Sequence, residues 1–146
     1  MEDAEKFIEL VENFWSEIIT YLNGKRPKSE DKKRLQTQLA KNPNAIGYSI
    51  EDFLKNLTIT KDISLDDNWA TFRWFQVNKI FALHLACSYD SLKTIKDSEK
   101  AYEKLVHDVI DAQYLIVALL EGGFATKEKK LIDWWKLLSP NGLLCQ

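Results

Sequence analysis

Glu103, His107 and Asp111 follow one another at i, i+4 and i+8. On a helix this spacing puts two carboxylates and an imidazole on one stripe, with about 40° around the axis between each and the next. Such a stripe could hold a divalent metal and support a metal-dependent hydrolase. Di-metal bundles, however, use a Glu-x-x-His spacing on paired helices, and zinc hydrolases bring two or more His. His84 and His107 are the only histidines in the chain. A solvated polar face is the plainer reading, so no metal and no other cofactor is assigned, and the hydrolase built on Glu103, His107 and Asp111 stands as the alternative.

His84 and Cys87, at i and i+3, could supply half of a zinc site, but no Cys-x-x-Cys or His-x3-His completes it. Cys87 is better read as a small core residue and His84 as a buried imidazole with one hydrogen bond. Arg73 stands among Trp69, Phe72, Trp74 and Phe75, a setting in which a guanidinium needs a partner. If the segments around it and after it pack antiparallel about residues 92 to 94, Asp111 comes level with it. The spacing therefore predicts a structural ion pair of Arg73 with Asp111, with an anion pocket floored by the aromatics as the other reading.

Lys25, Arg26, Lys28, Lys32, Lys33 and Arg34 oppose only Glu30 and Asp31, a net +4 within ten residues of a chain whose formal charge is −2. These six cations are candidates for anion binding, and nucleic-acid binding through loop 25–34 is a second alternative. The decapeptide has no interleaved aromatic for stacking, and the helix after it is short and plain, so a solvated loop is the expectation and nucleic acid is not the expected partner. Trp134 and Trp135 are consecutive on a short amphipathic segment, with about 100° between them. One ring is expected inside and the other at the boundary, forming with Leu138 a partner-binding patch. A C-terminal lid with both rings in the core is the other reading.

The elements that would position these residues are helices. Phe7, Ile8, Val11, Phe14, Trp15, Ile18, Ile19 and Leu22 recur at helical spacing, and Gly24 ends the run. Ser29 can cap a shorter helix that ends at Asn42-Pro43-Asn44. Ser49 with Asp52 starts a brief helix to about Leu57, and Thr58–Ile63 reads as an extended connector rather than a strand. From Leu65 to about Tyr89 the chain is apolar on most sides, as a central helix would be. Asp97 or Ser98 starts the next helix, which turns its inner side through Tyr102, Leu105, Val106, Val109, Ala112, Leu115, Ile116 and Leu119 and stops at Gly122-Gly123. Thr126 is the expected cap of the last helix.

This pattern predicts an all-α fold: an irregular helical bundle of about five to six helices, three of them long (2–23, 65–89 and 98–121), in a single domain spanning 1–146, with no sheet. With 45% hydrophobic residues, five Trp and seven Phe, apolar burial is ample and intrinsic disorder is not expected. Two cysteines make no disulfide framework. The opening MEDAEKF is acidic and lacks an apolar run, so no export signal is expected. The longest apolar stretch, Tyr114 to Leu120, falls far short of the roughly 20 residues of a membrane span. A cytoplasmic protein without a membrane segment is the expectation. No phosphate-binding glycine loop, dinucleotide fingerprint, nucleophile elbow or zincin motif occurs. The function expected is thus a non-enzymatic helical protein-interaction module, or a small subunit of an assembly, engaging a protein partner or a second copy of itself.

Overall fold

The computed structural model describes residues 2–21, 24–25, 27–41 and 70–146. The fold class is all-α, a helical bundle as the periodicity predicts, with six helices among the described residues: α1 (Glu2–Tyr21), α2 (Lys32–Lys41), α3 (Ala70–Ser88), α4 (Leu92–Lys96), α5 (Glu99–Glu121) and α6 (Lys129–Leu138). The brief helix expected at 49–57, the connector at 58–63 and the first turn of the expected central helix at 65–69 lie outside the described residues.

Two features depart from the expectation. A short helix, α4, lies between the two long segments, where the sequence predicts no helix. Ser91, in extended backbone, accepts from Thr94 N at 3.3 Å and caps it. The second departure is a sheet. Residues β1 (Gly123–Ala125) and β2 (Leu143–Cys145) pair in parallel, with Gly123, Phe124 and Ala125 opposite Leu143, Leu144 and Cys145. The ladder runs on past both ends, through Leu143 N to Gly122 O at 3.1 Å and Thr126 N to Cys145 O at 3.1 Å. Parallel strands cannot be joined by a tight turn and require a crossover. Helix α6 is that crossover, so β1, α6 and β2 form a minimal strand-helix-strand unit.

The chain divides into two compact units interleaved in sequence: Met1–Gln36 with Asn78–Gln113, and Thr37–Val77 with Tyr114–Gln146. Both α3 and α5 contribute to each. In the first unit, Phe7, Ile8, Val11 and Phe14 are buried at i, i+1, i+4 and i+7, whereas Glu5, Glu9 and Glu12 are exposed. That amphipathic face is what docks α1. Phe7 meets Phe81 of α3 edge-on, with ring centroids 6.3 Å apart, and Lys96 of α4 reaches Glu12 at 2.8 Å. Cys87 is buried, as read, with its Sγ 4.0 Å from Lys28 O. Ser98 caps α5, accepting from Ala101 N at 3.3 Å.

In the second unit, α5 ends where its glycine predicts: Gly122 adopts φ +82° and donates to Ala118 O at 2.8 Å, a left-handed stop that costs a residue with Cβ more. Helix α6 then buries Leu131, Trp134, Trp135 and Leu138. Its cap differs from the expected one. Glu128 holds the N-cap position without a side-chain hydrogen bond, and Thr126 Oγ1 instead accepts from Glu128 N at 3.2 Å, two residues too early to cap the helix.

Candidate functional site

The first half of α3 reads Phe72-Arg73-Trp74-Phe75-Gln76-Val77-Asn78-Lys79 and buries four polar side chains: Arg73, Gln76, Asn78 and Lys79. Two of them form a network within the second unit. Arg73 Nη1 donates to Gln76 Oε1 at 3.0 Å and to the Leu138 carbonyl at 2.9 Å, and Gln76 Nε2 donates to the Ala40 carbonyl at 3.2 Å. Arg73 and Gln76 lie one turn apart, so both side chains leave α3 on one side. A guanidinium only donates and a carbonyl only accepts, which fixes the orientation of the Gln76 amide between them.

Leu138 is the last residue of α6, and Ala40 the penultimate residue of α2. Their carbonyls belong to the terminal set that a helix leaves without internal partners. Helix C-termini also carry partial negative charge, which favours a cation at the end of α6. The network is therefore a tertiary cap for two helices at once. It gives the buried guanidinium partners within its own unit, whereas the Asp111 expected from the sequence belongs to the other. The Arg73–Asp111 ion pair stands as a prediction with its own test below.

In the first unit, Lys79 is buried with its Nζ 5.5 Å from the centroid of the Phe14 ring, a cation–π contact, and Asp108 is buried on α5. Lys79, Gln76 and Asn78 were missed from sequence. The signal available was four polar residues in seven positions of a run otherwise too apolar for a surface helix.

The other sequence candidates fall as follows. Glu103 and His107 are exposed and Asp111 is half-buried. Among the described residues, no group of three or more His, Cys, Asp or Glu side chains lies where it could hold a metal ion. His84 is half-buried. Of the basic cluster, Lys25, Lys28, Lys33 and Arg34 are exposed and Lys32 is half-buried, while Arg26 lies outside the described residues. Arg34 is held by Asp31 one turn before it, at 3.4 Å. Trp134, Trp135 and Leu138, read as a partner-binding patch, are all buried, with Trp135 only 1% exposed. The 100° between the two rings does not bring either to the surface. Phe124 of β1 covers Trp135 at 5.5 Å between centroids, and Lys130 lies over the Trp134 ring at 5.6 Å. Trp135 also lies close beneath Gly142: a Cβ there would stand 2.5 Å from its Cζ2.

The surface instead presents apolar residues elsewhere. Tyr114 (66% exposed), Val117 (58%) and Leu120 (43%) follow at i, i+3 and i+6 along the last turns of α5, and Leu143 (67%) on β2 hydrogen-bonds the residue that ends that helix. From Ala112 to Leu120 the helix has no charged side chain. Singly scattered exposed apolar residues are ordinary, but a run along one helix side next to a further exposed leucine is the composition of a contact face. Periodicity sets Tyr114, Val117 and Leu120 off the inner side of α5, and the structure shows them exposed. Leu115 and Leu119, buried, and Val117 and Leu120, exposed, are equally apolar in sequence. Nor, among the described residues, is any helix long and apolar enough to cross a membrane. Comparison with protein-family models, with curated proteins and with solved structures found no match for this chain.

Proposed function

We propose that this chain is a helical protein-interaction module, a small subunit or self-associating protein without a reaction of its own, and that its contact face is the outer side of the last turns of α5 together with β2. The observation that carries the reading is the exposure of Tyr114, Val117 and Leu120 on a helix stretch free of charge, beside exposed Leu143. Tyrosine adds weight, because aromatic side chains dominate the energetics of protein interfaces. The free thiol of Cys145 at the surface fits a reducing compartment, so a cytoplasmic location belongs to the same proposal.

The test is size exclusion with light scattering over a concentration series, combined with capture of partners from the native host, for wild type and for Tyr114→Asp with Val117→Asp. Self-association or a captured partner that the double variant loses, while its helical circular dichroism is kept, supports the proposal. A wild-type chain that stays monomeric and retains nothing, or an association indifferent to both substitutions, removes it.

A further inference from the structure

Arg73 and Gln76 each satisfy the carboxyl-terminal carbonyl of a different helix and also bind each other. The two helix ends they hold, at Ala40 and Leu138, are 98 residues apart in the chain, and these two side chains make a hydrogen-bonded path between them. Arg73 is 5% exposed and Gln76 1%, and water cannot easily replace a bond lost there. We infer that Arg73 and Gln76 form a latch through which the end of α2 and the end of α6 open and close together. When Leu138 O loses Arg73, the guanidinium is left with part of its hydrogen-bonding unmet in a buried setting. Its hold on Gln76 then changes, and with it the bond to Ala40 O. The converse holds when Gln76 leaves Ala40. Polar groups so buried carry a large cost when unpaired, which is what makes partial opening unfavourable and joint opening the cheaper event. Five residues after Leu138 the chain enters β2, so the latch also holds the return to the sheet.

The experiment is native-state hydrogen exchange on the full chain in rising guanidinium chloride, read at the amides of Leu39 to Lys41 and of Trp135 to Ser139. In wild type the two sets merge into one opening before global unfolding. Arg73→Met touches α6 directly, yet speeds exchange at both sets by roughly ten- to hundred-fold. Gln76→Met touches α2 directly, and likewise speeds both. Wild-type isotherms that stay separate up to global unfolding overturn the inference even if neither variant folds. So does a folded Arg73 variant that leaves the α2 end at its original rate, or a folded Gln76 variant that leaves α6 at its own.

Discussion

Arg73 Nη1 lies 2.9 Å from the main-chain carbonyl of Leu138, the last residue of α6, although 65 residues separate them in sequence. An arginine between two aromatic residues of a buried helix invites a search for a carboxylate. Part of the answer is a helix end, whose unpaired carbonyl and partial negative charge suit a cation.

Arg73→Met keeps the side chain's length and apolar stem but strands Leu138 O and Gln76 Oε1. A loss of about 3 kcal/mol is expected, since charge-assisted bonds contribute about 1.5 to 3 kcal/mol and a stranded buried acceptor adds to the cost. Urea titration by circular dichroism measures it. A loss below about 0.5 kcal/mol would show that water reaches these groups in solution.

The Arg73–Asp111 pair is tested by a double-mutant cycle with Asp111→Asn. Coupling well above the roughly 0.5 kcal/mol scatter of independent sites is expected if the two side chains interact. Strictly additive losses would leave the guanidinium to Gln76 and Leu138 alone.

Two residues of α5 separate its two sides cleanly. Leu115 is fully buried, and Leu115→Ala is expected to cost about 2 to 5 kcal/mol. Val117 is exposed, and Val117→Ala is expected to change stability by less than about 0.5 kcal/mol, helped by the better helix propensity of alanine. Thermal melts of both variants check the contrast, and a costly Val117→Ala would mean that this side is covered within the chain.

Gly142 lies where any Cβ would stand 2.5 Å from both Ser139 Oγ and Trp135 Cζ2. The serine hydroxyl can rotate away, but the indole is locked in the core. Gly142→Ala should therefore cost about 1 to 3 kcal/mol through displacement of Trp135 or of β2. Ser139→Ala should not rescue it. Rescue would place the clash on the hydroxyl alone.

Lys96 and Glu12 join α4 to α1 at 2.8 Å, with both side chains about half exposed. An ion pair so placed is worth at most about 1 kcal/mol and is screened by salt. A double-mutant cycle at low and at high ionic strength should show a small coupling that vanishes in the latter. A large, salt-insensitive coupling would contradict the exposure of the pair.

The helices that carry a one-sided apolar repeat are legible in the residues alone. Phe7, Ile8, Val11 and Phe14 mark the inner face of α1, Leu105 to Leu119 that of α5, and Leu131 to Leu138 that of α6, because the 3.6-residue turn forces residues at those spacings onto one side. Gly122 likewise marked its own helix end, since a backbone needing positive φ favours the residue without a Cβ. The remaining features depend on contacts between segments distant in the chain. Gly-Phe-Ala and Leu-Leu-Cys are too short to show alternation and become strands only by pairing across α6. Both tryptophans are buried because Phe124 and Lys130 close over them. Tyr114, Val117 and Leu120 lie off the inner face that the repeat marks on α5, but their exposure depends on what packs beside them, and a linear pattern records the apolar character of a side chain but not the presence of a neighbour to cover it.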